Sequence, residues 1–348
     1  MSALFERIAG LPLEVESASY EGLQLDVRSD YTRLATVVRL EGAGRAGRGE
    51  DVNWSAAEQR ALRASRPPDV RSRGTLAEFS EKLDALELWP GGPPEQAASR
   101  DFRRWAFESA ALDLALRQAD LSLEAALGLE PDAVRFVLST GLGSPPSLAP
   151  LERRIARWPA ARFKVDAAAS WDDEFCARLA ELRRVDVIDL KGYYRDTSVD
   201  LPADPRLYER IVRWFPETIL EDALLDETTL RILEPHVERL SFDAPIHSFE
   251  DVLTLPIEPR VLNVKPSRFG SLAALFDFIE GCAERDIALY AGGQFELGPG
   301  RTQVLRLASL FCPDAPNDCA PSVWHEDPAP ESAPASPWPP ARPPRSGF

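Results

Sequence analysis

Between about residues 13 and 54 apolar and polar positions alternate in short runs, LEVESASYEGLQLDV and then TRLATVVRL, before a glycine-rich turn, GAGRAGRGED. Alternation of this kind predicts strands, here a three-stranded meander. From residue 55 to 128 the period changes. Apolar residues recur three and four apart in SAAEQRALRAS, TLAEFSEKLDAL and ASRDFRRWAFESAALDLALRQ, a helical spacing broken at Gly91, Gly92, Pro93 and Pro94. The first 130 residues therefore read as an α+β unit.

A second rhythm starts near residue 135. RFVLSTGL precedes SLAPLERRIARW; RFKVDAA precedes DDEFCARLAELRR; VDVIDLKG precedes DPRLYERIVRWF. TILEDAL, RLSFDAPI, RVLNVKPSR and IALYAGGQFELG are each followed by a helical pattern in turn. Apolar strands alternating with amphipathic helices predict a parallel sheet buried on both faces. Seven such units with no break in strand order favour a closed (β/α) barrel of the TIM type over residues 131–322, with a doubly wound open sheet as the alternative. Residues 323–348, HEDPAPESAPASPWPPARPPRSGF from His325, are rich in proline and alanine and are expected to be disordered.

A net charge of −16 disfavours nucleic acid and anionic membrane surfaces as partners. No apolar run reaches membrane-span length and the start carries no secretory pattern, so the expected location is the cytoplasm. Cys176, Cys282, Cys312 and Cys319 have no CxxC spacing and read as reduced, buried thiols. The turn contains GxGxxG at Gly42, Gly44 and Gly47, but an extended EDVNW follows where a dinucleotide site needs a helix. A mobile hairpin loop is the better reading.

In a parallel barrel the chemistry lies where strands run out into the following loops. Those ends carry Lys164 and Asp166 in FKVD, Asp189 and Lys191 in IDLK, Glu221 and Asp222 in LED, Asp243 in FDAP, Lys265 in NVKP and Glu296 in GGQFELG. Residues two apart on a strand share a face, so Lys164 with Asp166, and Asp189 with Lys191, enter the mouth as pairs. Lys and Arg total 40, of which only Lys82, Lys164, Lys191 and Lys265 are lysine, and three of those four sit at strand ends. Lysine can give up a proton where arginine cannot. Salt-bridge networks are the plain explanation for any one of these charges. Three acids on successive strands are costly together, and a divalent cation would offset that cost. Asp189, Glu221 and Asp243 make a hard oxygen site suited to Mg²⁺, with Mn²⁺ as a substitute. His236, His247 and His325 are dispersed; His247 either lines the site or serves its own loop.

The set resembles the enolase superfamily, in particular its muconate-lactonizing and mandelate-racemase-like branch, o-succinylbenzoate synthases included. The resemblance spans nearly the whole chain. AFESAALDLALRQADLSLEAALG looks like the helix that closes that family's N-terminal capping domain, and NVKPSRFGS and YAGGQFELGPG look like its sixth and seventh barrel strands. It implies a modified (β/α)7β barrel behind an α+β cap and a Mg²⁺-dependent lyase or isomerase acting on a small carboxylate. Lys265 would move the α-proton or stabilise the enediolate, with Lys164 opposite. Glu296 and His247 would contact substrate, and cap loops, the Gly42–Asp51 turn among them, would close over the mouth. Homo-oligomers are compatible with it.

Two positions depart from the family pattern. Where KxK is usual on the second strand this chain has Lys164 and Asp166, and where DxN is usual on the third it has Asp189 and Lys191. On one reading Lys191 replaces the missing lysine and Asp166 balances it. In another register, with VDAAASW as the third strand, Asp166 would be a metal ligand. The substitution also leaves open a member that has lost its chemistry and keeps a carboxylate-binding or scaffolding role.

Overall fold

The computed structural model describes residues 2–28, 31–194, 200–326, 328–339 and 346–348. The N-terminal part runs α1 (Ala3–Ala9), β1 (Pro12–Val15), β2 (Ser17–Arg28), β3 (Tyr31–Gly42), β4 (Arg45–Asp51), α2 (Ala56–Ala64), β5 (Ser72–Thr75), α3 (Leu76–Asp84), α4 (Ser99–Gln118) and α5 (Leu123–Leu127). β2, β3 and β4 form the expected antiparallel meander. β1 and β5 make a separate two-stranded ribbon, in which β5 is the polar run SRGT. Serine and threonine side chains start two of these helices: Ser55 caps α2, and Thr75 forms a capping box with Glu78 on α3.

α4 is the axis of the molecule. Fifteen of its twenty residues are buried, because the meander covers one side and the barrel the other. Gly47 and Gly49 make the first contact close. A Cβ on Gly47 would lie 2.2 Å from the Ala110 carbonyl oxygen, and one on Gly49 2.1 Å from that of Ala106. The glycine-rich segment is thus a strand pressed against a helix, not a mobile loop over the barrel. Only Ala43 and Gly44, both at positive φ, form its turn. No helix opens at these glycines, so the context that dinucleotide binding requires is missing.

The barrel follows in strict alternation: β6 (Leu138–Ser139), α6 (Ala149–Arg157), β7 (Phe163–Asp166), α7 (Asp173–Glu181), β8 (Val185–Asp189), α8 (Pro205–Trp214), β9 (Ile219–Glu221), α9 (Glu227–Leu233), β10 (Leu240–Ser241), α10 (Phe249–Thr254), β11 (Val261–Val264), α11 (Leu272–Ala283), β12 (Ala288–Ala291) and α12 (Pro299–Phe311). β6 to β10 pair in parallel, and so do β11 and β12. The Asn263 amide donates to the Phe242 carbonyl at 3.2 Å and joins the two sheets. On the far side, Asn317 and Asp318 bridge in parallel to Phe136 and Gly292 and supply the eighth, closing strand. The open-sheet alternative is thereby excluded.

The proline-rich stretch differs from the disorder expected of it. Ser322–His325 form a 3-10 turn whose buried Trp324 packs on Trp158 and Phe136, ring centroids 4.4 and 6.3 Å apart. Trp338 exchanges two 2.8 Å backbone hydrogen bonds with Val134, and Phe348 is buried. Proline has no N–H to satisfy, and Trp324 Nε1 donates to the Pro334 carbonyl at 3.1 Å, so three spaced aromatic anchors dock the stretch. Residues 327 and 340–345 of the same expectation lie outside the described residues. Among the described residues no helix is long and apolar enough to cross a membrane.

Candidate active site

Five successive strands, β7 to β11, bring a charged side chain to one end of the barrel, on the strand or just beyond it. Lys164 enters on β7; Asp189 and Glu221 are the last residues of β8 and β9. Asp243 follows β10 by two residues, and Lys265 is the first beyond β11. Asp189, Glu221, Asp222 and Asp243 are fully buried, and Lys164 and Lys265 nearly so. Four buried carboxylates would not survive without compensation. Four cations supply it: Lys164, Lys191, Lys265 and Arg268.

The pairing is specific. Lys164 Nζ bonds Glu221 Oε1 and lies 3.4 Å from Asp189 Oδ2 and 3.5 Å from Asp318 Oδ2. Lys191 Nζ bonds Asp189 Oδ2, stands 3.3 Å from Asp166 Oδ1, and sits 4.8 Å from the centre of the Tyr194 ring. Lys265 Nζ donates to Asp243 Oδ2 at 2.6 Å, and the Tyr194 hydroxyl donates to the same oxygen at 3.0 Å. Arg268 Nε is 3.4 Å from Asp243 Oδ1, which is buried without a hydrogen-bond partner. Glu221 Oε2 accepts from Asn263 Nδ2 at 3.0 Å and from the Tyr290 hydroxyl. Gly292 makes room for this wall: a Cβ there would lie 2.4 Å from Asn263 Oδ1 and 2.9 Å from Lys265 Cε. Asp222, at positive φ, turns back and accepts from the backbone amides of Asp243 (2.7 Å) and Ala244 (3.0 Å).

Electrostatics sort the acids. Burial works against ionisation of Asp189, but the ammonium groups of Lys191 and Lys164 outweigh it and hold its carboxyl well below the usual range. Asp243 is held low in the same way by Arg268 and Lys265. Glu221 goes the other way: burial and the neighbouring carboxylates push it up to about 8 despite Lys164. Burial also raises Asp222 to about 7, with Asp243 and Asp189 adding to it. Burial alone would lower Lys164 and Lys191, yet their carboxylate partners raise both above the ordinary lysine value. Burial therefore frees no proton at these two lysines, which lie beside anions rather than cations.

Asp189, Glu221 and Asp222 each place one carboxylate oxygen within 4.8 Å of the others. This buried acidic cluster has hard oxygen donors at a spacing that suits a small divalent cation. Asp222 rather than Asp243 completes the tightest triad. Asp166 ends β7 with its side chain half exposed, directed at Lys191. Glu296 is buried away from these contacts: Oε1 accepts from the Gln294 amide at 2.6 Å, and Oε2 lies 3.0 Å from Arg301. His247 Nδ1 lies 3.3 Å from the Arg268 carbonyl oxygen and 3.5 Å from Asp101, so it serves the loop beside the site. Sequence reasoning missed Tyr194, Asn263, Arg268, Tyr290 and Asp318. Asn263 and Arg268 lie inside the quoted NVKPSRFG motif, where Asn263 shares a strand face with Lys265. Asp318 carried no signal, because the strand that holds it is too short to show a period.

The chain matches an o-succinylbenzoate synthase of Geobacillus stearothermophilus at 26% identity, covering 91% of this chain and 88% of that protein. Among solved structures it is similar to an enolase-superfamily member from Listeria innocua, with a TM-score of 0.63, 18% identity, and 89% and 86% of the two chains covered. It is also similar to a dipeptide epimerase from Methylococcus capsulatus complexed with a Mg ion, with a TM-score of 0.66, 18% identity, and 89% and 93% covered. Residues 6–126 match the N-terminal domain, and residues 130–326 the C-terminal domain, of a family described as domain of unknown function DUF8230. An α+β cap, a closed eight-stranded barrel and these matches lead to one conclusion: the chain belongs to the DUF8230 family and is built on the enolase-superfamily fold.

Proposed function

We propose that this protein is a lyase or isomerase that removes the proton α to the carboxylate of a small substrate. The observation that carries the reading is the opposition of Lys164 and Lys265. They lie on the second and sixth of eight barrel strands, which face each other across the mouth, with four buried carboxylates around them. Lys265 is the proton-transfer group. Its partner Asp243 remains compensated by Arg268 and Tyr194 when the ammonium gives up its proton, so the acid is not left unpaired. Lys164 and Lys191, raised by their carboxylates, keep their positive charge and face a substrate anion with it, and Asp166 balances Lys191.

Asp189 and Glu221 would hold Mg²⁺, with either Asp222, which completes the compact acidic cluster, or the strand-end Asp243 as third acid; Asp222 also accepts from the Asp243 amide. Bound there, the ion supplies a Lewis acid for the substrate carboxylate. The similarity to o-succinylbenzoate synthase supports β-elimination over cycloisomerisation or epimerisation. The lack of a second lysine on β7 supports the same choice, since epimerisation needs a proton carrier on each face. Four buried, free cysteines fit a reducing compartment and so the cytoplasm. The test is deuterium uptake at the α-carbon across a panel of small carboxylic acids, read by NMR.

One observation favours a second reading. Asp189, Glu221 and Asp243 each already have a cation of the chain beside them, as in a carboxylate-binding protein without turnover. Ligand affinity without exchange on any close analogue would establish that reading instead.

A further inference from the structure

Lys191 occupies Asp189 more completely than any other cation of the site occupies its partner. Its backbone amide donates to Oδ1 at 3.0 Å and its ammonium bonds Oδ2. The same Oδ2 lies 3.4 Å from Lys164, so two ammonium groups already converge where a divalent ion would bind. A third cation brought to that oxygen meets like charge at close range in a buried setting, where screening by solvent and salt is weak.

The two lysines are not equally committed. Lys164 is enclosed on its strand among Glu221, Asp189 and Asp318, its side chain 3% exposed. The Lys191 side chain is 16% exposed and has a second carboxylate, the half-exposed Asp166, 3.3 Å away. Its backbone is fixed: Lys191 has a φ of 52°, and the next amide, Gly192, donates to the Asp222 carbonyl at 2.9 Å. A flexible four-carbon stem on a fixed base can carry the ammonium from one acid to the other without moving the chain.

We propose that Lys191 is a tethered competitor for the cation: its ammonium and a divalent ion occupy Asp189 alternately, and Asp166 receives the ammonium when the ion enters. This rests on the metal reading above and assigns Asp166 a role that neither substrate nor ion requires. The tether gives the ammonium a high local concentration, so the ion must displace it, and metal affinity is set by an internal charge.

The experiment is calorimetric titration of the full chain with Mg²⁺ alone, up to tens of millimolar. Lys191→Gln should bind about tenfold or more tightly than wild type, and Asp166→Asn several-fold more weakly. Asp166→Asn leaves the buried ion pairs in place, so it stays informative if Lys191→Gln does not fold. Simple field effects would give the same signs, so a second readout is needed. The Lys191 ¹⁵Nζ resonance should shift on adding Mg²⁺ to wild type and stay unshifted in Asp166→Asn. Binding by wild type with no tightening in Lys191→Gln, or an ammonium resonance that ignores Mg²⁺, overturns the competition alone. No binding by either protein overturns the metal reading and this inference with it.

Discussion

Lys164 and Lys265 hold different acids across one barrel mouth, Lys164 on Glu221 and Lys265 on Asp243 at 2.6 Å. The two anchors are not equivalent. Glu221 also accepts from Asn263 and Tyr290 and is pushed up to about 8, whereas Asp243 stays ionised between Arg268 and Lys265. The proposed proton transfer falls on the side of the ionised acid, where Arg268 also stands beside Asp243.

Lys265→Arg keeps a cation beside Asp243 and removes the compact, proton-exchanging ammonium. α-Proton exchange should fall by roughly 10²–10⁴-fold, the contribution of a positioned acid–base group. Circular dichroism melting should change little, and exchange at the wild-type rate would remove Lys265 from the mechanism.

The third ligand can be told apart by substitution. Asp189→Asn and Glu221→Gln should each abolish Mg²⁺ binding in calorimetry, since both belong to every version of the site. Asp243→Asn should do the same if the strand-end acid is the ligand. Asp222→Asn should chiefly lower the melting temperature, because its carboxylate holds the Asp243 and Ala244 amides. The reverse ranking would make Asp222 the ligand.

Glu50, on β4, is buried and accepts amide hydrogen bonds from Leu297, Gly298 and Gly300 at the start of α12. Burial, with Glu296 nearby, pushes it from 4.5 up to about 7. The folded state thus holds its proton more tightly than the unfolded one. Its contribution to stability is full below about pH 4.5 and lost as pH rises through about 7, on the order of 3 kcal/mol in all. Relative to Glu50→Gln, wild type should lose melting temperature across that window. A parallel pH profile for the two proteins would disprove the assignment.

Gly47→Ala and Gly49→Ala should each destabilise the protein by about 1–3 kcal/mol or more, because their methyl groups would meet the α4 backbone near 2 Å. Thermal melts would show it. Gly44→Ala, with open space around the position, should cost less, through its positive φ of 70° alone.

The barrel was legible because each βα unit announces itself locally, in a short apolar run followed by a 3.6-residue period. The strand-end acids and lysines were legible for the same reason: a strand fixes which neighbours share a face. What escaped depends on distant partners. β5 is polar SRGT and is a strand only because β1 lies beside it. Asn317 and Asp318 close the barrel with two bridges, too few for a pattern. The glycines of β4 looked like loop residues because the helix they accommodate begins some fifty residues later. Trp324, Trp338 and Phe348 sit in a stretch whose composition reads as unfolded, and only the surface they meet reveals them as anchors.

α4 gives the two matched segments a common interior. Its residues stand in one continuous apolar cluster with Leu40 of the meander and with Leu262 and Leu275 of the barrel. Heredity can treat the stretches before and after residue 128 as separable modules. Thermodynamics cannot. Neither half can shed the other without opening that shared interior to water, so a barrel expressed without its cap would be a fragment rather than a smaller enzyme, even though β6 to β10 keep a second apolar cluster of their own.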